Sequence, residues 1–270
     1  MTSSPTYKTI SIEKEGAIDW LTLDRPDRLN TINPAMCADL LDYFGNLQWD
    51  HSVRLVILQG RGRAFCAGYD LDEADAVSGA RGTVHGLAAQ RQVSEVFIRM
   101  RRCPQPILCL AHGAAVGGGF GLVLASDIRI VADNVRMNVA MANVGLTGCD
   151  VGISYFLPRA VGQSVASELM MTGRMIGATR ALSIGLVSEI AEPETLRSAG
   201  EKMAGEMLRL SPLGLRMTKE GVRMGIDAPS LEAAVLMEDR GQILCADAGL
   251  MREGIAAFRE KREPEYPDGE

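Results

Sequence analysis

Two glycine-bearing segments, AFCAGYDL (64–71) and HGAAVGGGFGLVLASDI (112–128), constrain the fold of this chain more than any other feature. Each follows a short apolar run that reads as a strand, RLVILQG (54–60) and PILCLAHG (106–113), and each leads into helix-compatible sequence. A strand that turns on glycine into a helix directs backbone N–H groups at one point in front of it. Two such junctions, about fifty residues apart, read as a two-part cradle for negative charge. The donors are fixed in advance, and glycine lets a ligand come close to the backbone. This arrangement suits chemistry that develops charge on a thioester or carboxyl oxygen.

Around these junctions the pattern repeats. TISIEK (9–14) and AIDWLTL (17–23) alternate as strands, and Asn33 with Pro34 supplies the cap and first turn of a helix over 35–49. A strand over 54–59, a helix over 85–102, a strand over 107–111, a helix after Gly118, a strand over 128–132 and a short one near 136–139 complete a β, β, α rhythm. Repeated units of this kind predict an α/β fold, a spiral of sheets with helices outside. Beyond residue 157 the reading is mostly helical, with one strand-like piece at 186–190. Amphipathic helices around 195–210, 212–225, 230–244 and 250–261 end the chain, their methionines (203, 207, 217, 224, 237 and 251) reading as helix-to-helix packing. The expected division is a core over 1–200 and a helical oligomerisation region over 201–270.

Composition narrows the function classes. A hydrophobic share of 47% with 23% charged residues over 270 positions describes a globular protein with a sizeable core. A net charge of −6 argues against a nucleic-acid surface. No apolar run reaches the roughly 18 residues of a spanning helix, and the first residues show no secretory signal, so a cytoplasmic location with no membrane partner is expected. The six cysteines show no CxxC pair, and the three histidines are too scattered for a zinc pattern. No metal is expected.

Four strings in order, LDRPDRLNTINPAM (23–36), GRAFCAGYDL (62–71), PILCLAHGAAVGGGFGLVLASDIRIVAD (106–133) and EGIAAFREKREPEY (253–266), resemble the crotonase superfamily, the enoyl-CoA hydratase/isomerase group, nearly end to end. The resemblance implies a crotonase-like spiral of ββα units and an enzyme acting on acyl-CoA, with the coenzyme A thioester as substrate and no other cofactor. It implies oxyanion donors at the backbone N–H groups of Tyr69, after the AG pair, and Gly118, the middle of the GGG run. It places coenzyme A near Ala67, Asp70 and Leu71, with Arg28 and Leu29 alongside, and has Phe258 and Lys261 reach a neighbouring subunit's coenzyme A. The expected assembly is a homotrimer or a dimer of trimers.

The chain departs from that family where the chemistry is decided. The two glutamates typical of its hydratases are replaced by Gly121 and Met141, neither of which can activate water or deliver a proton. Asp150, in GLTGCDVGISYFLPRAVG, stands where isomerase members place a carboxylate, and one carboxylate suffices to carry a proton between two carbons of a held enolate. Val151, Phe156 and Met141 could raise its pKa toward neutrality. The competing reading makes Asp150 the cap of the helix that follows, ionised and weakly basic. Tyr155 reads as a buried ring with a satisfied hydroxyl, His112 as a brace for the second turn, and Glu73 and Asp75 as a solvated face. Isomerisation is the leading expectation, with hydration, a non-catalytic acyl-CoA-binding subunit, and a thiol hydrolase using Cys66 or Cys149 as the alternatives.

Overall fold

The computed structural model describes residues 7–76 and 82–266. β1 (Ile10–Glu15) and β2 (Ile18–Leu23) form an antiparallel pair. α1 (Pro34–Leu47) begins where Asn33 accepts the Met36 N–H at 2.9 Å. β3 (Leu55–Gly60), α2 (Thr83–Arg102), β4 (Ile107–Ala111), β5 (Ala114–Val116), α3 (Gly118–Ala125), β6 (Ile128–Ala132) and β7 (Arg136–Asn138) follow. The remaining elements are α4 (Ile153–Val161), α5 (Gln163–Thr172), β8 (Ile176–Gly177), α6 (Ala178–Ser183), β9 (Glu189–Ala191), α7 (Leu196–Leu208), α8 (Pro212–Gly225), α9 (Leu231–Asp247) and α10 (Leu250–Glu260).

The strands divide between two sheets. One has the order β1-β2-β3-β4-β6-β9, parallel from β2 onward, and the other the order β5-β7-β8. β4 and β6 feed the first sheet while β5 and β7, a turn later, feed the second, so the chain winds between sheets as the expected spiral. The sequence reading missed β5 and β8, which at three and two residues are too short to carry a periodicity. The expected strand over 186–190 forms later, at β9, because Leu186 and Val187 are packed into the core while Glu189–Ala191 pairs with β6.

The main sheet is buried on both faces, which is why β3 and β4 read as continuous apolar runs. Val56, Leu58, Cys109 and Ala111 face a core shared with α1, α2 and α3, whereas Leu55, Ile57, Leu108 and Leu110 pack with Trp20 against Leu196, Ala204 and Met207 of α7. α7 therefore crosses residue 200 as part of the sheet's cover. α8 is pinned to the core by buried Lys219, whose Nζ reaches Asp127 at 2.9 Å and the Gln105 carbonyl at 2.8 Å. Of the methionines expected between helices, Met207 is buried, but Met224 and Met251 are exposed. α9 buries none of its residues in the single chain.

Candidate active site

The two glycine segments run side by side. Phe65 N–H donates to the His112 carbonyl at 2.8 Å, Cys66 N–H to that of Ala114 at 2.9 Å, and Val116 N–H back to that of Cys66 at 3.0 Å. This short ladder brings the turns together at Gly68 and Gly117, both left-handed at φ 93 and 55. A Cβ on Gly68 would lie 3.1 Å from the Val116 carbonyl oxygen, and one on Gly119 only 2.2 Å from that of Cys66. The junction closes because those positions have no side chain. Neither the Tyr69 N–H nor the Gly118 N–H has an acceptor among the described residues. Gly118 opens α3, so its N–H is one of the unsatisfied donors at a helix N-terminus, where the helix dipole favours negative charge.

A second loop braces the first turn from behind. Ile32 pairs with it through its N–H to the Gly68 carbonyl and its carbonyl to the Asp70 N–H, both 2.8 Å. Asn30 is fully buried, and its amide donates to the carbonyls of Arg61 and Ala64. Asp70 is buried as well. Burial pushes its carboxyl pKa up, but hydrogen bonds from Arg25, Arg28, Thr31 and the Asp72 N–H hold it below its ordinary value. Its carboxylate thus locks the loop to the turn, with Arg28 also paired to Asp72. His112 Nε2 contacts the Gly62 carbonyl at 2.8 Å, the brace expected of it.

Arg28, Leu29, Ala67, Asp70 and Leu71 are gathered at this edge. Ala67 N–H donates to the Leu29 carbonyl at 3.0 Å, and Leu71 is exposed. Phe258 and Lys261 belong instead to the end of α10, which packs on α9. Among the described residues no hydrogen bond or ion pair ties them to the loop cluster, and Phe258 is 85% exposed. Glu73 is exposed, whereas the Asp75 side chain and residues 77–81 lie outside the described residues.

Beyond the turns, the position of the missing glutamate is filled. A Cβ on Gly121 would lie 2.7 Å from Val151 Cγ2 and 2.8 Å from Phe97 Cε1. Met141 is buried in the same core. Asp150, next to Val151, is partly buried, and its Oδ1 accepts the Gln90 amide at 2.7 Å and the Val151 N–H at 2.8 Å. Burial raises the carboxyl pKa above its ordinary value, and those two hydrogen bonds oppose the rise without cancelling it.

The helix-cap reading of Asp150 is corrected. The cap of α4 is Gly152, in a left-handed conformation, and no side chain caps that helix; only the Asp150 carbonyl takes part, accepting the Ile153 N–H. The extra turn at Val151 and Gly152 displaces the carboxylate from the helix N-terminus. Tyr155 is half exposed rather than buried, and its hydroxyl donates to Asp227 beneath a stacked Arg159. Cys66 is buried, with its thiol pushed up to about 12, which removes its nucleophilic form. Cys149 is exposed.

Sequence reasoning missed Gln90 and Phe97. Their spacing of seven puts them on one face of α2, but nothing in the sequence pairs that face with residues 121 and 150. Among the described residues no three His, Cys, Asp or Glu side chains gather to hold a metal ion, and no helix is long and apolar enough to cross a membrane.

Comparison with known proteins matches the sequence profile described as enoyl-CoA hydratase/isomerase to residues 13–269. A protein of Mycobacterium tuberculosis named probable enoyl-CoA hydratase is 36% identical over 255 residues, covering 92% of this chain and 88% of its own length. Among solved structures, an enoyl-CoA hydratase from Bacillus anthracis superposes with a TM-score of 0.91 at 28% identity, covering 97% of this chain and 100% of its own. A monofunctional enoyl-CoA isomerase from M. smegmatis does so at 0.71 with 36% identity, covering 84% and 98%.

Proposed function

This chain belongs to the enoyl-CoA hydratase/isomerase family, and within it we propose that the protein shifts a carbon–carbon double bond of an acyl-CoA thioester with one carboxylate. The observation that carries this reading is the closed position at Gly121, where Phe97 and Val151 occupy the space a second carboxylate would need, beside a partly buried Asp150. Hydration requires one group to activate water and another to deliver a proton; isomerisation requires one shuttle.

In this mechanism the thioester oxygen lies between the N–H groups of Tyr69 and Gly118. Asp150 removes a proton from the α carbon of a 3-enoyl thioester, and the electron pair moves through the carbonyl to give the enolate that the two donors stabilise. The same carboxyl returns the proton to the γ carbon, leaving the double bond between the α and β carbons. Nothing is consumed, and the coenzyme A thioester is substrate rather than cofactor. Arg28, Leu29, Ala67, Asp70 and Leu71 form the edge that receives coenzyme A, the buried pairs of Asp70 holding that edge in shape.

The helical end of the chain is assigned to self-assembly, as a homotrimer or a dimer of trimers. Leu231, Leu236, Ile243 and Leu244 of α9 are each more than half exposed, an apolar surface that calls for cover. Phe258 and Lys261 then reach a neighbouring copy's coenzyme A. Sedimentation velocity reads the assembly directly.

The test is an assay of 3-enoyl-CoA and 2-enoyl-CoA in water labelled with heavy oxygen. Interconversion of the two without label, abolished by Asp150→Asn, is the expected result. Labelled 3-hydroxyacyl product would replace this reading by hydration, and coenzyme A binding without turnover would replace it by a passive binding role.

A further inference from the structure

We infer that Gln90 is a positioning residue for the Asp150 carboxylate, fixing one of its oxygens so that the other alone handles the proton. The inference rests on Asp150 as the proton carrier. Gln90 and Phe97 share the face of α2 that lies over the site, Phe97 against Gly121 and Gln90 against Asp150. The Gln90 amide and the Val151 N–H both donate to Oδ1, at 2.7 and 2.8 Å. Among the described residues Oδ2 has no partner.

The backbone is built around this bond pair. Val151 is held at φ 43, a left-handed conformation that a β-branched residue avoids, and it is packed into the core there. Two donors on one oxygen stop the carboxylate from rotating, which keeps Oδ2 aimed while the proton leaves one carbon and returns to another. An amide suits the task because it donates without titrating. It also favours the charged form of a carboxyl that burial disfavours.

The charges around Asp150 leave this control to Gln90. α3 carries no titratable residue, nor does the segment 140–144. On α4, Tyr155 and Arg159 are engaged with Asp227. On α2, Glu95 pairs with Arg99, while His85 and Arg91 lie on the exposed side. Cys149, the preceding residue, is exposed. Among the described residues no charged side chain contributes to the perturbation of Asp150; the causes there are burial and the two hydrogen bonds.

The experiment compares wild type, Gln90→Met, Gln90→Glu and Asp150→Asn in 3-enoyl-CoA isomerisation across pH. A parallel carbon-13 NMR titration of the Asp150 carboxyl in the first three reads the same group without substrate. Gln90→Met removes the donor at nearly constant size, so the acidic limb of the rate profile and the NMR titration both move up by about one pH unit. Its kcat at neutral pH falls about tenfold or more with KM little changed, as expected for a loss of aim rather than of binding. Gln90→Glu keeps the shape but adds a second carboxyl, and moves both titrations further up. Unchanged titrations and kcat in folded Gln90→Met and Gln90→Glu overturn the inference. An active Asp150→Asn overturns instead the reading on which it rests, and an inactive one beside an indifferent Gln90→Met overturns the inference alone.

Discussion

Substitution of Gly119 by alanine tests whether the contact between the two glycine turns holds the oxyanion donors in register. The added methyl would lie 2.2 Å from the Cys66 carbonyl oxygen, 2.8 Å from Cys66 Cβ and 2.9 Å from its carbonyl carbon. A carbon–oxygen contact needs about 3.3 Å, so one turn must move by about 1 Å against the other. Both obstacles nearest the methyl are on Cys66, which is buried and hydrogen-bonded through its own N–H and carbonyl, so no flexible side chain can relieve the clash. Tyr69 N–H belongs to the turn that contains Cys66 and Gly118 N–H to the turn that contains Gly119, and the shift therefore spoils one of the two bonds to the oxyanion. Loss of one such donor costs about 10²–10³ in kcat. Overpacking also costs about 1–3 kcal/mol of stability. The assay is kcat and KM for 3-enoyl-CoA isomerisation together with urea denaturation. Gly205→Ala on α7 serves as the control, since nothing lies within 4 Å of the Cβ it adds, and it gains about 0.5–1 kcal/mol from helix propensity with normal activity. A folded Gly119→Ala with wild-type kcat would refute the argument that this contact sets the donor geometry.

Asp150→Asn is expected to lose about 10²–10⁴ in rate and yet to gain stability at neutral pH. Burial places the folded-state pKa above the unfolded value of about 3.9, so the native state binds more protons than the unfolded chain in that interval and stability falls as pH rises through it. Urea midpoints of wild type and Asp150→Asn should converge at acid pH and separate above it; equal midpoints at all pH values would remove the burial argument. Gly121→Glu will not create a hydratase, because its side chain meets Val151 and Phe97, and it should lose about 1–3 kcal/mol by overpacking. Labelled hydroxyacyl product from that variant would refute the closed position. Lys219→Met removes the ion pair to Asp127 and the bond to the Gln105 carbonyl while Asp127 keeps Arg101 and the Ile107 N–H, so a loss of about 1–3 kcal/mol is expected in chemical denaturation; a loss near zero would show that α8 docks without that pair.

The legible parts of this fold were those with local causes. Asn33 and Pro34 start α1 as the sequence indicates, and β4 and β6 fall at the expected residues because their apolar runs are bounded by polar or glycine-bearing turns. β5 and β8 were not legible, since two or three residues become a strand only when a neighbouring strand supplies the hydrogen bonds. The same holds at the site. The AG and GGG strings pointed to the Tyr69 and Gly118 N–H groups, which have no acceptor among the described residues, and the lack of a carboxylate at Gly121 and Met141 could be read directly.

The sequence by itself determined the strand-to-glycine junctions and the family they belong to, and it singled out Asp150 as the carboxylate of the proposed mechanism, because each is written in a handful of adjacent residues. Only the tertiary structure decided that Asp150 is a partly buried, doubly hydrogen-bonded carboxylate rather than a helix cap, and that Phe97 and Val151 fill the place of a second one. A carboxylate's pKa and aim depend on groups distant in sequence, here Gln90 sixty residues before it. Which residues fold into contact is settled by the packing of α2 on α3 and of α3 on α4, and no local pattern encodes it.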